Sequence, residues 1–171
     1  MKALIFEGKL IQIESESFPV AHEMHWIDAP DFASVESYYF DGNAVVLIPP
    51  KPIEQIKADI RIKIKSERDR RSQTLGYKVS TKWFHSDANS RIQQLALTMA
   101  GTSLPSGLMW KTLDGSFIEM TPTLAKQIFQ AALGSDSAIF AVAETHKTNL
   151  EASTTPETYD YLSGWPIGFG E

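Results

Sequence analysis

A proline cluster followed by a long charged helix signal constrains this chain more than anything else in it. Pro49 and Pro50 end whatever strand precedes them, and Ile53, Ile56, Ile60 and Ile64 then recur at spacings of three, four and four. That spacing puts the isoleucines on one face of a helix. Lys57, Asp59, Arg61, Lys63, Lys65, Glu67 and Arg68 fill most of the other positions, so the apolar stripe is narrow and needs a partner. Twenty helical residues would span about 30 Å. The pattern predicts a stiff connecting helix over 51–75 that holds two bodies apart. Its stripe pairs either with the protein's own second body or with a copy of itself, which makes Ile53, Ile56, Ile60 and Ile64 a candidate oligomer interface. The register for self-pairing is short: Ile53, Ile56 and Ile60 suit a and d positions, but the next d position is Lys63.

Charge is spread unevenly about this element. The net charge is −5, yet residues 1–50 carry eight acids against two bases, while residues 51–71 carry eight bases against four acids. A basic stretch can mark a nucleic-acid surface. Here acids are interspersed and no aromatic is interleaved, so a solvated or salt-bridged helix face is the expectation, with no nucleic-acid partner. The 171 residues are 43% hydrophobic, ordinary for one domain or two small ones. There are no cysteines, which excludes disulfides, thiolate metal sites and cysteine nucleophiles. No run approaches the roughly 18 apolar residues of a membrane span. The N-terminal MKALIFEGKLIQIE is interrupted by Glu7, Gly8 and Lys9 and does not read as a signal peptide.

Residues 1–50 predict a small antiparallel β module. Ala3–Phe6 and Leu10–Ile13 flank Glu-Gly-Lys, and Tyr38–Phe40 and Ala44–Ile48 flank Asp-Gly-Asn, two hairpin signals. Met24–Ile27 reads as a further strand. So small a sheet needs a packing partner, and Phe18, Trp26, Tyr38 and Tyr39 form its candidate docking surface. His22 and His25 lie three apart beside an extended stretch, without the four-residue spacing of a zinc helix or a third local ligand. They read as surface histidines.

Residues 76–171 predict helices joined by short hairpins, giving an α+β chain overall. Gly76 is placed to close the connecting helix, and Tyr77–Phe84 has strand propensity with a turn near Ser80-Thr81. Ser86 or Asp87 caps the next helix, with Ile92, Leu95, Ala96 and Met99 as its buried stripe and Gly101 as its stop. Leu108–Thr112 and Phe117–Met120 flank Leu113-Asp114-Gly115-Ser116, a third hairpin. Thr121-Pro122 are N-cap and first helical residue of a long helix to about Ala152, with Gly134 as a candidate kink. The tail from Thr154 holds Tyr159, Tyr161, Trp165 and Phe169, too aromatic for disorder, and is expected to lie along a surface of its own body or a neighbour's.

Chemistry is sparse in this pattern. His85 with Asp87 has the residue types of a general base and its orienting carboxylate, but Asp87 stands where a cap is needed. Trp83, Trp110 and Trp165 suit a sugar-stacking platform, although such rings more often serve burial, at 150–250 Å² each. No phosphate loop, nucleotide fingerprint or acidic cation loop occurs, so no catalytic residue, cofactor or metal is assigned.

The segments KWFHSDANSRIQ, LPSGLMWKTLDGSFIEMTPTLAKQIFQAA and YLSGWPIGFG carry a family likeness. From about Glu54 to the C-terminus, about two thirds of the chain, they resemble a domain family of unknown biochemical function in tail proteins of tailed bacteriophages. Its members are often labelled tail fibre or tail fibre assembly proteins. The residues that carry the likeness are Trp83 to Asp87, Ser90-Arg91, Trp110-Lys111 with Asp114-Gly115, Thr121-Pro122 and Gly164-Trp165-Pro166. Phe18-Pro19-Val20 and Trp26 to Pro30 are similar to the small module that often precedes the domain. The resemblance implies a non-enzymatic virion protein of the tail, made in the host cytoplasm. Other tail or baseplate proteins would be its partners, together with copies of itself, a trimer being favoured because fibre-like phage proteins are commonly trimeric. The concrete expectation is a fibre or fibre/baseplate adaptor: residues 1–50 attach, residues 51–75 connect, residues 76–171 form the distal body. Two alternatives are a fibre-assembly chaperone and a receptor tip that binds a host surface glycan through Trp83, Trp110 and Trp165.

Overall fold

A computed structural model describes residues 1–171 and has the α+β architecture. The chain divides into two compact units, Met1–Lys51 and Pro52–Glu171. In the first, β1 (Lys2–Phe6) pairs antiparallel with β2 (Lys9–Glu14) on one side and β3 (Met24–Asp28) on the other. Glu7 and Gly8, both at positive φ (50° and 73°), form the two-residue turn between β1 and β2. This is the geometry whose twist suits a tight hairpin. A bulge opposite Leu4 and Ile5 skips Ile11, which is left exposed. A second hairpin joins β4 (Tyr38–Phe40) to β5 (Val45–Leu47). Ala3, Ile5 and Val45 form the buried centre, with Leu10, Ile13, Ile27, Tyr38 and Phe40 packed round it. Alternation along β1 supplies this: residues 3 and 5 share one face of the sheet.

The second unit is built on α3 (Pro122–Ala152), which runs unbroken through Gly134. Thr121 caps it, its hydroxyl accepting the Leu124 N–H, with Pro122 at the first helical position. Both α1 (Ile53–Thr74) and α2 (Ala88–Ala100) pack against α3. Three short hairpin strand pairs do not all belong here; this unit holds two, β6 (Tyr77–Val79) with β7 (Lys82–Phe84) and β8 (Met109–Lys111) with β9 (Phe117–Glu119). Their side chains join α3 in a core cluster of Tyr77, Phe84, Met120, Ala125, Ile128 and Ala132.

The connecting helix is not a free-standing strut. Ile60 and Ile64 are sunk among Ile139, Ala143, Leu150 and Trp165, with Ile56 packed against the same group, while Ile53 stays 53% exposed. The candidate oligomer interface is therefore corrected: α3 supplies the partner that the narrow isoleucine stripe needs, from within the same unit. Polar contacts fix the pairing. Lys57 Nζ donates to the Glu151 carbonyl at 2.7 Å, and Arg61 Nε donates to the Glu151 carboxylate at 2.7 Å. Other cations of the basic stretch are also paired within the chain: Lys65 and Arg68 with Asp69, Arg70 with Glu67, and Arg71 with Glu67 and Glu171.

The aromatic tail lies along its own unit. Trp165 is buried, its Nε1 donates to the Tyr161 carbonyl, and the Arg71 guanidinium sits 5.7 Å over its ring. The Phe169 N–H donates to the Leu75 carbonyl at 2.9 Å. Gly76 (φ +67°) closes α1 as expected. A Cβ there would lie 2.6 Å from the Phe84 carbonyl oxygen, so the site requires glycine for space as well as for conformation. No helix is long and apolar enough to cross a membrane.

Candidate functional site

Helix α2 starts from Asp87, whose carboxylate accepts the Ser90 N–H at 3.0 Å and the Ser90 hydroxyl at 2.6 Å. The Ser90 hydroxyl and N–H hold the Asp87 carboxyl below the usual carboxylate range. Asp87 is thus a helix cap, and His85 precedes it at the end of β7. Four, seven and eleven residues on from the cap come Arg91, Gln94 and Thr98, a polar stripe on one face of the helix. That polar face meets the body. Arg91 forks onto Asp136 of α3 at 2.6 and 2.8 Å, donates to the Ser86 carbonyl at 2.6 Å, and donates to the Ser72 carbonyl of α1 at 2.8 Å. Gln94 is 3% exposed; its Nε2 donates to the His85 carbonyl, and its Oε1 accepts the Tyr77 hydroxyl. Burial pushes the Tyr77 hydroxyl up to about 12. Thr98 Oγ1 lies 2.9 Å from the Gln94 carbonyl oxygen and 3.2 Å from that of Ala125. Each buried polar group of this stripe has a partner, as interior polar groups require.

The rotation that satisfies these groups turns the other face of α2 to solvent. Ile92, Leu95, Ala96 and Met99, expected as the buried stripe, are all exposed, Ile92 by 67% and Met99 by 79%. This corrects the sequence expectation. One helix face can meet α3, and Arg91 and Gln94 claim it, because their partners Asp136, Ser72 and His85 lie there. The outward stripe continues sideways into a groove of about 220 Å³ between α2 and α3, lined by Ile92, Leu95, Phe129, Ala132 and Leu133 and bounded by the Arg91–Asp136 pair. Leu133 is 57% exposed. Arg91 is the one charged residue of α2, and Asp136 pairs with it. The groove is therefore apolar apart from Gln94 and this one internal ion pair. Clustered apolar exposure of this kind marks interaction surfaces more often than does scattered exposure.

The other sequence-predicted residues fall elsewhere. In the first unit, Trp26 Nε1 donates to the Phe18 carbonyl and their rings meet edge to face at 4.9 Å. Tyr38 packs on the small core, whereas Tyr39 and Phe18 are exposed. Phe32, passed over in the sequence, is the most exposed large apolar side chain of the molecule at 93%. It sits between turn residues, and neither strand nor helix periodicity could single it out. His22 pairs with Glu23, while His25 faces the Phe40 ring. Trp83, Trp110 and Trp165 make no common platform. Trp165 belongs to the α1–α3 cluster, Trp110 to the hairpin cluster, and Trp83 meets Phe169 edge to face. Trp165 at 8% exposure has no face left for a sugar ring.

A family described as a domain of unknown function (DUF4376) matches residues 55–163, well over half of the chain. The chain belongs to this family. The matched segment contains nearly all of α1, the whole of α2 and the whole of α3, and so both walls of the groove. No curated protein and no solved structure matches the chain.

Proposed function

We propose that this family member is a non-enzymatic structural protein of a tailed-phage particle, a tail fibre or fibre/baseplate adaptor that works by protein–protein contact. The observation that carries the reading is the outward apolar stripe of α2. A polar stripe is spent on docking the helix, and Ile92, Leu95 and Met99 are left for a partner. The likeness of Trp83 to Asp87, Trp110-Lys111 and Gly164-Trp165-Pro166 to phage tail proteins supplies the setting. Met1–Lys51, with eight of the chain's 21 acidic residues and with Phe18, Phe32 and Tyr39 exposed, is the attachment module in this reading. The Pro52–Glu171 unit, including α1, is the body that presents the α2–α3 face.

Mass spectrometry of purified particles tests this. A stoichiometric presence of the protein supports the virion role. Absence from the particle, with the protein bound to a fibre during maturation, would instead assign an assembly chaperone.

A further inference from the structure

We infer that the α2–α3 face is covered by the same face of a second copy of this chain, in a twofold dimer. This rests on the reading of that face as an interaction surface, and it names the partner.

Three observations point to a copy. The first is spacing. Ile92, Leu95, Ala96 and Met99 follow one another at three, one and three residues, the a, d, e, a pattern of a helix–helix seam. A seam on a single helix face is self-complementary about a twofold axis, where each patch meets its own equivalent. Antiparallel α2 helices across such an axis also set opposite helix dipoles side by side, whereas a parallel threefold arrangement aligns them.

The second is charge. The chain carries −5 overall, yet the only charged residues lining the groove are Arg91 and Asp136, joined to each other at 2.6 Å. Two copies can meet along the groove without like-charge contact, and its lining offers no unpaired charge to select a strongly charged partner.

The third is area. The exposed parts of Ile92, Leu95, Ala96, Met99, Phe129 and Leu133 amount to roughly 500 Å² per copy, the size of a functional rather than an incidental patch. Pairing two copies then buries about 1,000 Å², the lower bound for a specific interface. A dimer on that area is concentration-dependent, with dissociation expected in the micromolar range.

The full chain is examined by light scattering and sedimentation from about 1 to 300 μM, alongside Leu95→Glu/Met99→Glu. The wild type is expected to pass from monomer to dimer, and the variant to dissociate at least 100-fold more readily, with the wild type's helical spectrum and melting temperature at concentrations where both are monomeric. Both side chains are exposed, so the variant keeps its fold. Because the chain lacks cysteine, Ala96→Cys provides a second readout. Mild oxidation is expected to give a disulfide-linked dimer in high yield, whereas Ile62→Cys, at a likewise exposed position on α1, does not. A wild type monomeric to 300 μM overturns the inference while leaving the proposed virion role standing, and that role then calls for a different protein on this face. A trimer, or a dimer indifferent to Leu95→Glu/Met99→Glu, also overturns it.

Discussion

Arg91→Ala tests the idea that α2 is held by its polar face. The guanidinium makes a bidentate pair with Asp136 and reaches two backbone carbonyls, Ser86 and Ser72. Alanine leaves both carbonyls and the carboxylate without this donor. Hydrogen bonds to a charged group contribute about 1.5–3 kcal/mol each when they are sheltered. The two carboxylate bonds count for less, because Asp136 is 39% exposed and recovers water. The expected loss is therefore about 3 kcal/mol, well below the sum of four sheltered bonds. For a protein of this length that corresponds to roughly 10 °C in melting temperature. All three α-helices lie in the Pro52–Glu171 unit, so helical circular dichroism during urea unfolding reports that unit, whatever the first unit does. Arg91→Lys is expected to recover less than half of the loss, since an ammonium cannot span Asp136, Ser72 and Ser86 together. A double-mutant cycle with Asp136→Asn is expected to give a coupling of about 1–2 kcal/mol. An Arg91→Ala protein within about 0.5 kcal/mol of wild type would refute the polar docking of α2, as would full rescue by lysine.

Three further perturbations probe the rest of the body. Ile64→Ala is expected to cost about 2–5 kcal/mol in urea unfolding, the range for a truncated core side chain, without altering the wild-type oligomeric state, because Ile64 is wholly buried beside α3. Gly76→Ala is expected to destabilise by more than about 1 kcal/mol, since alanine must adopt φ +67° with its Cβ against the Phe84 carbonyl; a stabilised variant would contradict the close approach. Asp87→Ala is expected to cost about 1 kcal/mol at neutral pH. The folded Asp87 carboxyl titrates below its unfolded value, so its contribution is present above the unfolded pKa and is lost as pH falls through the folded one. The gap between wild type and Asp87→Ala is accordingly expected to close as pH falls below the ordinary carboxylate range, and a gap that widens on acidification would rule out the cap.

Much of the scaffold was legible because it is written locally. Thr121-Pro122, Asp87 and Gly76 announce helix ends by chemistry that acts within a few residues, and the α+β order follows from hairpin turns and helical spacing. The role of α1 was not legible. Four isoleucines predict a stripe but do not name its partner; the partner, α3, begins more than fifty residues later, and only tertiary packing brings Ile139, Ala143 and Leu150 to Ile60 and Ile64.

Helix α2 departs from its sequence pattern in a different way. Its apolar residues do form a stripe, but the stripe faces away from the body. The usual inference, apolar inward, assumes that the polar face has nothing better than water to bind. Here Arg91, Gln94 and Thr98 repeat at helical spacing behind a capping aspartate, and each finds a partner distant in sequence: Asp136, Tyr77 and Ala125. Two stripes therefore compete for one interface with α3. Specific hydrogen bonds to Arg91 and Gln94 decide the rotation, because leaving those groups buried and unpaired would cost more than exposing Ile92 and Met99. That exposure is itself unfavourable in an isolated chain. A helix with two candidate faces is thus a sequence signal in its own right: when the polar face is the one that docks, the apolar face becomes the surface on which to look for a partner.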